Sequence, residues 1–210
     1  MSLNFTVYPG ISEIPTYQEV FDFSNIKISE FILKHLGVKK HLILNGEVQD
    51  IKNNKVFNIK LEDKFKCKEG CSMHVYIEGI PDGIEVYFYE KMNGLEKKVW
   101  KESIELEEKY KKMKEKISTA ITIEHNWILK KHAGQQGIMV LLYGILAASL
   151  AKLTNGFIYS DDGAWDYSLL PANPDDFFSW YLNPTFAENN EYKELSLKNI
   201  ELIKKLLRNV

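Results

Sequence analysis

Residues 133–153 read AGQQGIMVLLYGILAASLAKL. No other stretch of the chain is so apolar, and its periodicity is helical. Gly137, Gly144, Ala148 and Ala151, spaced 7, 4 and 3, share one face on which another backbone or ring can approach closely. Leu141, Leu142, Ile145, Leu146 and Leu150 fill most of the remaining circumference. A helix that is apolar nearly all round is covered on several sides, so it belongs at the centre of a fold. The apolar run from Ile138 to Leu153 is shorter than the roughly 20 residues a bilayer span needs, and Gly144, Ser149 and Lys152 interrupt it.

Around this helix the sequence alternates between strand and helix signals. Leu3 to Tyr8 reads as a strand stopped by Pro9-Gly10. Ser24 is placed to cap a helix with apolar positions Ile28, Phe31, Ile32 and Leu36, and Gly37 to end it. Residues 41–48 and 55–62 carry strand-type residues. Residues 74–79, 84–91 and 95–101 read as three further strands, joined by Pro81-Asp82-Gly83 and by Asn93-Gly94, the latter a hairpin signal. Leu106, Tyr110, Met113 and Ile117 form a helical stripe, and 118–128 (STAITIEHNWI) returns to β-branched residues. Asn155-Gly156 ends the central helix, Phe157 to Tyr159 is a short strand, and helices follow over 175–181 and 191–207.

The pattern predicts an α+β fold. An antiparallel sheet, with a meander over about 74–103 and a strand near 118–128, packs on the central hydrophobic helix 133–153, and a C-terminal helix follows. Length favours a single domain over 1–210, in which residues 1–70 form a looser N-terminal subdomain.

Composition narrows the function. Of the chain, 45% is hydrophobic and 12% aromatic, which is a globular rather than a disordered balance. A net charge of −2 does not suit a nucleic-acid binder acting through its overall charge. Two cysteines and an N-terminus without a basic and apolar leader suit a cytoplasmic protein. The sequence carries no phosphate loop, dinucleotide fingerprint, Gly-x-Ser-x-Gly elbow or His-Glu-x-x-His pair.

Cys67, Cys71 and His74 have the look of a metal site but lack a fourth ligand. A strand over 118–128 would point Glu124 and His125 to opposite faces, which makes them a poor acid–base pair. Ala133-Gly134-Gln135-Gln136-Gly137 opens a helix with glycines, yet without the spacing of a phosphate-binding loop. No catalytic residue, metal ligand or cofactor is therefore assigned.

Charge is nonetheless segregated. Between Thr154 and Glu194 eight acidic residues face one lysine, a balance of −7; between Lys91 and Lys131 eleven lysines face seven glutamates, a balance of +4. The acidic segment also holds Trp165, Tyr167, Phe177, Phe178, Trp180, Tyr181 and Phe186. Acid with aromatic residues suits a surface that recognises a basic protein. On this reading Asp161, Asp162, Trp165, Asp166, Asp175 and Asp176 bind the partner, with Trp165 as anchor, and reversing Asp161, Asp162 and Asp166 to lysine leaves the fold intact. The alternative is a metal-assisted hydrolase built on the aspartates of 161–166 with His125 or His132.

The succession STAITIEHNW (118–127), GIMVLLYGILAASLAKL (137–153) and TNGFIYSDDGAW (154–165) resembles the C-terminal half of bacterial α+β families that include immunity proteins of polymorphic toxin and contact-dependent inhibition systems. The resemblance spans about residues 119–182. Asn155 replaces the first glycine of the usual Gly-Gly pair, and Ser160 precedes the first aspartate. It implies a non-enzymatic inhibitor of a co-encoded toxin, with the acidic face toward a basic toxin domain; no nucleic-acid or membrane partner is expected from the net charge and the short apolar run.

Overall fold

A computed structural model describes residues 2–132, 134–187 and 189–209. It is an α+β structure built on one seven-stranded antiparallel sheet. The strands are β1 (Ser2–Tyr8), β2 (Leu44–Asp50), β3 (Lys55–Asn58), β4 (Cys71–Ile77), β5 (Gly83–Tyr89), β6 (Asn126–His132) and β7 (Phe157–Tyr159). Their order across the sheet is β3-β2-β4-β5-β6-β1-β7. β2 and β3 extend the same sheet as β4 and β5, so residues before 70 share its hydrogen-bond ladder.

Helix α5 (Ile138–Leu153) crosses one face of this sheet. Every residue from Ile138 to Ala151 is buried. Helices α1 (Tyr17–Leu36), α6 (Pro174–Trp180) and α7 (Asn190–Asn209) cover it from the other side. The central helix expected from 133–153 is thus present, but it starts at Ile138. β6 runs on to His132, Gln135 accepts the His132 backbone N–H at 2.9 Å, and Gly137 at φ 61° turns the chain into the helix. Ala133, read as the helix start, lies outside the described residues.

Three local expectations change. Residues 95–101, read as a strand, lie in helix α2 (Gly94–Leu106), and Asn93 is its N-cap rather than a hairpin residue, accepting Glu96 N–H at 2.7 Å. The reason is visible in the residues: Leu, Glu and Lys favour helices, and Trp100 and Ile104 at i, i+4 both become buried. Residues 118–123, also read as strand, belong to α4 (Lys114–Ile123), which follows the short α3 (Glu108–Lys111). Thr119 and Thr122 donate to the carbonyls of Glu115 and Ser118, so β-branched hydroxyls are satisfied inside the helix. Finally, α1 begins at Tyr17, eight residues before the predicted start at Asn25. Thr16 caps it with Glu19 in a reciprocal capping box, and Ser24 is a buried interior residue. Gly37 ends α1 in the left-handed conformation as expected.

α2, α3 and α4 form a second layer on the opposite sheet face. There Trp100, Ile104, Tyr110, Met113, Ile117 and Ala120 enclose Tyr8 and Phe157 in a small second core. This layer lies over the β6–β1–β7 end of the sheet. No described helix is long and apolar enough to cross a membrane.

Candidate functional site

Alternation along β1 sends Phe5 and Val7 into the α5 core, where both are fully buried, and leaves Asn4, Thr6 and Tyr8 on the other face. In register with Thr6 stand Ile128 of β6 and Tyr159 of β7. α2 passes over these residues at a distance that leaves an open cleft of about 380 Å³. Leu95, Val99 and Ser103 form its helical wall, and Asp161 stands on its rim. Trp100 and Tyr110 close the inner end, with Trp100 edge-on to Tyr8 at 5.3 Å and to Tyr159 at 4.8 Å.

The cleft is acidic. Glu96 and Asp161 line it, and among the described residues no lysine, arginine or histidine does. The Tyr8 hydroxyl donates to Glu96 Oε1 at 2.6 Å. Burial, reinforced by that carboxylate, pushes the Tyr8 hydroxyl well above its ordinary pKa, so it stays a donor. At the inner end Tyr110 and Tyr167 share a 2.8 Å hydrogen bond. Burial raises Tyr110 and pushes Tyr159 up to about 12. Tyr167 goes the other way: the bond with Tyr110 holds it below 10, helped by Lys109, which lies 3.5 Å from its ring centre.

The predicted acidic set is not one surface. Asp161 is exposed at the cleft. Asp162 turns inward and accepts Asn4 N–H and Ser160 Oγ–H, both at 3.1 Å, which ties the loop after β7 to β1. Asp166 caps a short 3-10 turn over Tyr167–Leu169 through the Ser168 N–H and hydroxyl. Asp175 pairs with Lys152 at 2.7 Å on a separate pocket shared with Lys116 and Asp176. Trp165 is 2% exposed and packs on Trp180, Tyr181 and Tyr192, so it is a core residue and cannot act as a surface anchor.

Nor do the aspartates of 161–166 converge on one point, and among the described residues no group of three or more His, Cys, Asp or Glu side chains could hold a metal ion. His125 is buried between Phe88 and Trp127, and His132 is exposed at the end of β6. Glu124 ends α4 at φ 73° and pairs with Lys97. Cys67 is buried and donates to the Cys71 carbonyl at 3.3 Å.

No protein-family model, curated protein or solved structure matches the chain. The sequence assigns no site role to the cleft residues Tyr8, Glu96, Trp100, Tyr110 and Tyr159, of which Tyr110 stands out only as part of an apolar helical stripe. Reading 94–106 as a helix would have put Glu96, Val99 and Ser103 along one side, but their meeting with β1 is a tertiary event.

Proposed function

We propose that this chain is a non-enzymatic protein-binding module, an immunity-type inhibitor of a basic bacterial toxin domain acting in the cytoplasm. The observation that carries this reading is the cleft, whose two carboxylates face no cation among the described residues and are framed by aromatic rings. A lysine or arginine side chain from a partner would gain an ion pair with Asp161 or Glu96 and a ring face from the half-buried Tyr159. Leu95 and Val99, 73% and 51% exposed, offer an apolar rim beside it. Of the acidic loop after β7, Asp161 is the aspartate that lines the cleft. Two free cysteines suit a reducing compartment.

The test is copurification from the native host, wild type beside an Asp161→Lys/Val99→Glu double variant. Support requires a single stoichiometric basic partner that the wild type retains and the double variant loses while keeping its melting temperature. Equal retention by both proteins removes the cleft from the interface.

A further inference from the structure

On β6 the core-facing positions are Trp127, Leu129 and Lys131, which are 0%, 0% and 6% exposed. A lysine in that series is out of place, because a buried charge is costly unless something neutralises it. Among the described residues the Lys131 ammonium reaches main-chain carbonyls alone, His132 O at 3.2 Å and Gln135 O at 3.3 Å. Burial pushes its pKa down, and among the described residues no carboxylate acts to restore it. The carbonyls solvate the ammonium without cancelling its charge.

Lys131 lines a cavity of about 180 Å³ between β6, the start of α5, the loop after β7 and α7. Lys198 of α7 and Gln136 also line it, and among the described residues no Asp or Glu does. Val140, Trp165 and Leu195 supply apolar wall. Gln135 and Gln136, in the glycine-bounded segment before α5, thus form part of a chamber wall. The volume is below the roughly 300–1,000 Å³ of pockets that take drug-sized ligands, which limits the occupant to a small molecule.

We propose that this cavity binds a small monocarboxylic acid with an apolar body, its carboxylate against Lys131 and Lys198 and its body against Val140 and Trp165. Two ammonium groups with no acidic counterpart among the described residues select an anion. The hydrocarbon and indole walls favour an organic acid over a bare inorganic ion. The site is separate from the cleft: Leu3 lines the cavity and its neighbour Asn4 lines the cleft, on opposite faces of β1. It therefore stands whether or not the protein is an inhibitor.

The experiment is calorimetric titration of benzoate, butanoate, benzamide and inorganic phosphate into the full chain and three variants, Lys131→Met, Lys198→Gln and Leu195→Trp. A single saturable site is expected for benzoate or butanoate, with no binding of benzamide or phosphate. Lys198→Gln should weaken it about tenfold, the scale of one charge-assisted hydrogen bond. Lys131→Met should abolish it, and Leu195→Trp should block it by filling the chamber. Should Lys131→Met fail to fold, the other two decide, since Lys198 is exposed and Leu195 is 37% exposed. Absence of saturable carboxylate binding overturns the proposal. So does binding that Lys198→Gln and Leu195→Trp leave unchanged, or a site that takes phosphate in preference to both carboxylates.

Discussion

Tyr181 lies across Gly144, so close that a Cβ on Gly144 would overlap its ring, and its hydroxyl donates to the Val140 carbonyl one helical turn earlier at 2.7 Å. The glycine is what lets α6 settle on α5. Gly144→Ala should destabilise the protein by about 3 kcal/mol, the upper part of the range for overpacking a core. Tyr181→Phe keeps the ring and loses only the hydrogen bond, about 1 kcal/mol. Urea melts of the two variants check the order; a Gly144→Ala protein as stable as wild type would show that the ring has another place to go.

The aspartates separate by their work. Asp162 holds Asn4 N–H and Ser160 Oγ–H, so Asp162→Ala should cost about 1–3 kcal/mol by leaving a part-buried backbone donor unpaired. Asp175→Asn removes an exposed pair with Lys152 and should cost no more than about 1 kcal/mol. Chemical denaturation of both variants makes the comparison. The expectation that Asp161, Asp162 and Asp166 can all be reversed without harm therefore fits Asp161 only, because the other two satisfy backbone N–H groups.

Tyr8 couples the second core to the cleft through Glu96. Tyr8→Phe should lower stability by about 1.5–3 kcal/mol, the range for a hydrogen bond to a charged group. Glu96→Gln retains an acceptor for the same hydroxyl and should cost less. Thermal unfolding of both proteins reads the difference.

Stability should also depend on pH through buried histidine. Burial, with Lys66 nearby, holds His125 below its ordinary 6.5, and burial with Lys34 does the same to His35. The unfolded chain then binds more protons than the folded one below pH 6.5. Stability from these groups is complete above that value and is lost as pH falls through their lowered folded-state values. Urea midpoints should fall between about pH 7.5 and 5.5, where unperturbed carboxylates stay ionised. His125→Phe should flatten part of that fall, while a slope identical to wild type would assign it to other groups.

At the start of α1, Thr16 accepts Glu19 N–H while Glu19 accepts the Thr16 N–H at 2.7 Å. Thr16→Ala should cost about 1 kcal/mol. Circular-dichroism melts suffice to see it.

The central helix, the N-terminal strand, the Pro81-Asp82-Gly83 turn and the left-handed Gly37 were legible because each depends on neighbours within a few residues. The capping box Thr16–Glu19 is equally local, and a helix read from its apolar positions 28–36 alone leaves out the first two turns of α1 and puts the cap at Ser24. Residues 94–101 and 118–123 were harder. Asn-Gly serves a hairpin or a helix N-cap, and β-branched residues enter a helix when their hydroxyls bond back to it. In both places burial of Trp100, Ile104 and Ile117 against Tyr8 and Phe157 belongs to a contact far away in sequence.

The candidate site shows the same division. The sequence by itself determined the α+β class, the buried helix at 138–153 and the acidic character of the loop after β7, since composition and periodicity are properties of short windows. Tertiary structure alone decided which acids are surface and which are ties. It turned Asp162 toward β1, sank Trp165 among Trp180, Tyr181 and Tyr192, and brought Glu96 from α2 to the cleft that Asp161 borders. Side-chain direction at a loop or a helix face follows from what packs against it, and those partners lie from 15 to 158 residues away along the chain.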